Sequence, residues 1–251
     1  MKTTKRKYTP RKTKTLPYKK RQSKGITTKY SAKKKSREIK TVDLTITDNY
    51  GNAGVYVADT MTTLMFNTSL SMVQNVVRVN QGAGISQRIG NKIALKSLRL
   101  RFGIELTGNT GTPPQLARFM VIYDRQPNGT YPSAGVILSN ATTAGTITNG
   151  TAYSSINPTL FDRFIVLMDK TFIIGGDVNG PTTATTEQKG FIIDEFIKLK
   201  GLETCFSGNT AGSPIADIQT GALYIVGLGD QTANTEAFFM AGMMRLRYYD
   251  N

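Results

Sequence analysis

An all-β sandwich behind a basic N-terminal arm is the architecture the sequence predicts, and three observations predict it. Apolar residues recur at period two in several separate runs from residue 41 onward. Long stretches rich in Gly, Thr, Asn, Ser and Pro divide those runs, at 107–116, 125–161, 175–189 and 207–220. A weak helix candidate at Thr60 to Val77 aside, no segment of the body shows a convincing amphipathic helix of three turns. Seven or eight strands with long connections and no helical layer imply two antiparallel sheets packed face to face. A single jelly roll of about eight strands is the architecture that uses long end loops in this way. Such domains associate edge to edge and loop to loop, so an assembling shell is physically open to this chain, although strand pattern alone does not establish it.

The arm, residues 1–40, comes first along the chain. Lys2, Lys5, Arg6, Lys7, Arg11, Lys12, Lys14, Lys19, Lys20, Arg21, Lys24, Lys29, Lys33, Lys34, Lys35, Arg37 and Lys40 make up 17 of the chain's 32 Lys and Arg residues. Glu38 is the only acid there, so the segment carries +16. The remaining 15 bases and 16 acids leave the body, residues 41–251, at −1. Charge repulsion and a near absence of aliphatic side chains predict a segment that stays disordered until it meets a polyanion. Each Lys or Arg set against a phosphate releases a condensed counterion, which gives affinity without sequence preference and steep loss of binding with salt. Tyr8, Tyr18 and Tyr30 recur between the basic clusters, and a tyrosine ring can stack on an unpaired base, a weak hint of single strands beside the alternative that three tyrosines in forty residues are chance composition. The clusters Lys5-Arg6-Lys7 and Lys19-Lys20-Arg21 also match the short basic runs that nuclear import receptors read. Neither a myristoylation start nor an amphipathic anchor accompanies them, so nucleic acid is expected as the partner and membrane is not.

The body opens with Val42, Leu44 and Ile46 alternating with Thr41, Asp43, Thr45 and Thr47, a half-buried strand. In the run Lys92 to Leu106, Leu98, Leu100, Phe102, Ile104 and Leu106 face one way while Arg99, Arg101 and Glu105 face the other. Ile93 and Leu95 have the opposite parity, which predicts a bulge near Lys96-Ser97 that restores one buried face. Further strands are expected at Ala117 to Asp124, Arg163 to Asp169, Phe191 to Lys200, Ala222 to Leu228 and Ala237 to Tyr249. In the last, Met244, Leu246 and Tyr248 stand opposite Arg245 and Arg247. Those two arginines, with Arg99 and Arg101, are expected either to extend a nucleic-acid surface or, by a small margin, to pair with acids at subunit contacts.

Composition narrows the chemistry. With no histidine, the Ser-His and Cys-His nucleophile pairs are excluded, and a single Cys205 allows neither an intrachain disulfide nor a Cys/His zinc site. No cofactor, metal or enzymatic activity is therefore expected. The carboxylates Asp124, Asp162, Asp169, Asp177, Asp194 and Glu195 sit at strand ends or on polar faces, where caps and ion pairs with Arg125, Arg163 or Lys198 are the expected fate. Gly82-Ala-Gly84 and Gly227-Leu-Gly229 lack the rest of a nucleotide-binding fingerprint and read as turns. Met1 to Pro10 lacks the apolar run of a signal peptide, so an intracellular protein is expected, in which the sequons at Asn67, Asn128, Asn140 and Asn149 read as turn composition.

Five body segments, in order, carry a family resemblance. They are Arg118-Phe-Met-Val-Ile-Tyr-Asp-Arg-Gln-Pro-Asn-Gly129, Asp162-Arg-Phe-Ile-Val-Leu-Met-Asp169, Phe172-Ile-Ile-Gly-Gly176, Phe191 to Leu199, and Met244-Arg-Leu-Arg-Tyr-Tyr-Asp250. From about residue 90 onward the chain resembles the capsid proteins of circular, replication-initiator-encoding single-stranded DNA viruses, the wide group around the geminiviruses. The Cys/His residues that geminivirus coat proteins commonly carry have no counterpart in a chain without histidine. The resemblance implies a jelly-roll coat protein that forms a small icosahedral homo-oligomer of about 60 subunits or a multiple. It further implies an arm on the viral single-stranded DNA genome, a host nuclear import receptor as partner, and residence in the virion and, during assembly, the host nucleus. The alternatives are an RNA virus jelly-roll coat protein and a cellular nucleic-acid-binding structural protein with a basic tail. The near-neutral body argues against the cellular protein, because ribosomal proteins usually spread positive charge over the folded domain as well.

Overall fold

The computed structural model of the chain describes residues 38–46, 64–66, 72–106, 115–139, 141–143, 146–148, 151–174, 191–211, 213–230 and 238–250. The chain divides after Ser36, and the larger unit begins at Arg37. Eight main strands build that unit. They are β1 (Ile39–Ile46), β2 (Met72–Asn75), β3 (Lys92–Leu106), β4 (Gln115–Asp124), β5 (Phe164–Ile174), β6 (Phe191–Phe206), β7 (Ala222–Gly229) and β8 (Phe238–Asp250). One sheet runs β1-β8-β3-β6 and the other β2-β7-β4-β5, with every pairing antiparallel. First pairs with eighth, second with seventh, third with sixth and fourth with fifth. That is one long hairpin wound across two sheets, which is the jelly roll. Short strands extend the first sheet: Ile218–Thr220 pairs with the end of β6, and Leu64–Phe66 pairs with the start of β8.

Alternation along the strands sets the core. Leu98, Leu100, Phe102 and Ile104 of β3 and Met244, Leu246 and Tyr248 of β8 are sealed from water, and they meet Phe119, Val121, Leu223 and Ile225 of the opposite sheet. Phe102 and Phe119 bridge the layers edge to face, with ring centroids 6.1 Å apart. The Tyr123 hydroxyl of β4 donates across the sandwich to the Glu203 carbonyl of β6. Burial first, then the nearby Cys205 and Glu203, push the Tyr123 phenol up to about 12, so it remains a donor. Between β5 and β6 the sandwich opens into a groove of about 650 Å³ lined by Val166, Met168, Ile197 and Leu199 among others. Lys170 and Glu195 close an ion pair across the same edge.

The bulge lies where the parity change puts it. Pairing of β3 shifts register between Leu95 and Ser97 against β6, and between the same residues against β8. On β6 the shift spans Leu199, Lys200 and Gly201, and the last two have positive φ. This excursion lets Ile93 and Leu95 face the same core as Leu98 and Leu100.

Three expectations are corrected. Within the Thr60 to Val77 segment, Leu64–Phe66 and Met72–Asn75 are strands, not helix. Met72–Asn75 hides its alternation because Val73, Gln74 and Asn75 are all buried, and Asn75 meets its polar needs by accepting from the Val77 N–H at 3.0 Å. Gly227-Leu-Gly229 is the end of β7 rather than a turn; Gly227 pairs with Phe119 on one side and Met72 on the other. The long connection 125–161 holds a helical turn at Ala134–Ile137, a hairpin of Ala141–Thr143 with Thr146–Thr148, and a 3-10 turn at Pro158–Leu160.

Candidate nucleic-acid interface

Of the arm residues singled out by sequence, Lys2, Lys5, Arg6, Lys7, Tyr8, Arg11, Lys12, Lys14, Tyr18, Lys19, Lys20, Arg21, Lys24, Lys29, Tyr30, Lys33, Lys34, Lys35 and Arg37 lie outside the described residues. Lys40 is described, and its assignment to the phosphate-binding set is corrected. It stands in β1 with its side chain 3% exposed, donating to the Asp250 carboxylate and to the Gln87 carbonyl, each at 2.9 Å. A cation sealed in this way fastens the first strand to the last and does not reach a phosphate. The described boundary of the arm accordingly falls before β1.

The outward face of the sheet β1-β8-β3-β6 gathers the four arginines read from strand parity. In cross-strand register, Asp43, Arg245, Arg99 and Phe196 form one row. Thr41, Arg247, Ser97 and Lys198 form the row beside it, and Thr45, Met243, Arg101 and Asp194 the row on the other side. Arg245 holds Asp43 through two hydrogen bonds of 2.7 Å, and this pairing, ahead of opposing burial, keeps the Asp43 carboxyl below the usual carboxylate range. Asp194 serves two arginines, Arg99 through contacts of 3.2 and 3.3 Å and Arg101 at 3.5 Å. The acids that Arg99, Arg101 and Arg245 meet thus belong to the same chain. Exposed pairs of this kind add little to stability. Their effect is on the charge of these three rows, which keep five cations against two carboxylates.

The remaining arginines and acids act as fasteners. Arg163 grips the fully buried Asp124 at 2.8 and 2.9 Å, and this bonding, against some desolvation, raises the guanidinium further. Arg125 donates to the Asp162 backbone carbonyl at 3.0 Å. Arg118, itself buried, forks onto Asp169 at 2.6 and 2.9 Å and also donates to the Ala152 and Ser154 carbonyls, pinning the 151–155 segment to β4 and β5. Arg88, fully buried, donates to the Gly90 and Gly208 carbonyls and lies 4.1 Å from the Phe206 ring centroid. Sequence alone did not mark the burial of Arg88 or Arg118, because nothing local separates a buried arginine from an exposed one. The Asn128 carboxamide accepts from the backbone and hydroxyl of Thr130, the turn chemistry expected of that sequon; Asp177, Asn67, Asn140 and Asn149 lie outside the described residues. Among the described residues no three Cys, Asp or Glu side chains gather as a metal site, and no helix is long and apolar enough to cross a membrane.

The model of the geminivirus coat protein/nuclear export factor BR1 family matches residues 2–251, nearly the whole chain. The chain belongs to that family. It is a viral coat protein, of a family whose role is structural, and its place is the virion. No curated protein matches the chain. For this coat protein the family match covers the arm as well as the jelly roll, so the two charge regimes are parts of one coat-protein sequence.

Proposed function

We propose that this coat protein assembles into a small closed shell and packages circular single-stranded DNA through its basic arm, residues 1–37. The carrying observation is the segregation of charge. Residues 1–37 hold 16 bases and no acid, while residues 38–251 hold 16 bases against 17 acids. A near-neutral domain packs against copies of itself without strong repulsion, and the arm confines polyanion binding to one segment. In a shell of about 60 subunits the arms bring about 960 positive charges, enough to face about 960 phosphates. The clusters Lys5-Arg6-Lys7 and Lys19-Lys20-Arg21 serve a host import receptor before assembly. The choice of DNA over RNA rests on the family, since counterion release does not distinguish them.

Deletion of residues 1–37 tests both roles and leaves β1 with its Lys40 anchor intact. The shortened protein is expected to keep the β-rich circular dichroism of the full chain and to lose nuclease-protected DNA. A fusion too large to diffuse, carrying the shortened chain, is expected to stay in the cytoplasm. Full DNA protection by the shortened protein would refute the packaging role, and undiminished nuclear signal would refute the import role.

A further inference from the structure

The cationic sheet face carries a solvent-exposed aromatic ring at the lip of the groove between β5 and β6. Phe196 of β6 is 56% exposed, and its outward position follows from register, since Ile193, Ile197 and Leu199 take the inward positions. Phe196 stands directly opposite Arg99, with Lys198 two residues along the same face. Arg247 lies two strands from Lys198 in the same row, about 10 Å away at ordinary strand spacing. Arg99 and Arg245 are direct cross-strand neighbours, a like-charge opposition that costs stability unless an anion relieves it. Asp43 and Asp194 relieve part of it, and these three rows stay three charges positive with both of their carboxylates already engaged.

We propose that this face is a second single-strand nucleic-acid site, in which Phe196 stacks on one base while Lys198, Arg247 and Arg99 take the flanking phosphates. An exposed ring on a pleated sheet, bordered by cations, supplies both parts of single-strand recognition: a π-face any base fits, and charges that follow the backbone. A second copy of the chain is the poorer occupant, because two such faces related by a two-fold axis bring like charge against like. In the sequence the basic segment immediately precedes β1, one of the strands of this sheet. The site rests on the packaging reading, and it adds a fixed, base-stacking contact to the general affinity of the arm.

The test is photo-crosslinking of the full chain to a short oligothymidylate, with the crosslinked peptides mapped by mass spectrometry. Crosslinks are expected both in the arm and in the Phe191 to Lys198 peptide. Phe196→Ala should lower the second set at least about fivefold while sparing the first. Lys198→Gln with Arg247→Gln should lower the salt slope of binding by about two. Crosslinks confined to the arm would overturn the sheet site and leave the packaging reading standing. Crosslinks nowhere in the chain would sink the packaging reading itself. If Phe196→Ala reduces particle yield and leaves the crosslink map unchanged, the face is a contact between subunits and the proposal fails. All three substitutions are at outward positions, and Phe196→Leu serves as a control that keeps apolar bulk while removing the ring.

Discussion

The Lys40 ammonium and the Asp250 carboxylate meet at 2.9 Å with side chains 3% and 8% exposed, joining the first strand to the end of the last. Burial on its own raises the Asp250 carboxyl, but hydrogen bonds from Lys40 and from the backbone N–H groups of Ile89 and Gly90 outweigh it and hold the group below the usual carboxylate range. Its folded value therefore lies below its unfolded one. The stabilisation is complete above the unfolded value, about 3.9, and is lost as pH falls through the folded value. Asp250→Asn strands a buried ammonium and is expected to cost about 3 kcal/mol in urea unfolding of the unassembled protein at neutral pH. The gap to the unaltered protein should narrow as pH drops below about 3.9. A gap that stays constant into acid would show that the carboxylate charge contributes nothing. Lys40 also shows where charge counting stops: as a base at the end of a basic run it is indistinguishable in sequence from Lys33 or Lys35, and only pairing with a residue 210 positions away removes it from the arm.

At the scale of elements, β8 is the strand on which the first sheet depends, since it pairs with β1 and Leu64–Phe66 on one side and with β3 on the other. Its Gly242 lies between Ile46 and Phe102 at φ 155°, and a Cβ there would come within 2.1 Å of the Arg101 carbonyl oxygen and 2.8 Å of the Phe102 Cα. Both atoms are backbone, so nothing flexible gives way. Gly242→Ala is expected to destabilise the domain by at least about 2 kcal/mol, read as a lower urea midpoint, whereas Ala241→Gly next to it should stay within about 1 kcal/mol. Equal effects at the two positions would remove the close-approach argument. The bulge at Lys96 was legible because one strand displays both parities, Ile93 and Leu95 before it, Leu98 and Leu100 after. Strand β2 was not legible, because Gln74 and Asn75 look solvent-facing and are buried instead. The arginine face was half legible: parity turns Arg99, Arg101, Arg245 and Arg247 outward, but which acids they meet depends on register between strands some 95 to 200 residues apart.

At the scale of the whole molecule, an arm of +16 and a domain of −1 make assembly depend on the ionic medium. Closure of a shell concentrates the arms, and their mutual repulsion opposes the contacts between domains, so a polyanion inside, or heavy screening, is needed to let those contacts win. The full chain at physiological salt, where the screening length is about 8 Å, is expected to remain unassembled without nucleic acid and to close when single-stranded DNA is added. Near 1 M salt that length falls to about 3 Å, and the same protein should then form shells that hold no DNA, since counterion release no longer favours binding. The protein shortened by residues 1–37 should assemble with no need for either. Static light scattering with electron microscopy across the salt range, with and without DNA, separates these cases. Shells that form equally well at all salts without nucleic acid would mean that contacts between domains overwhelm the arm, and that packaging and closure are independent events.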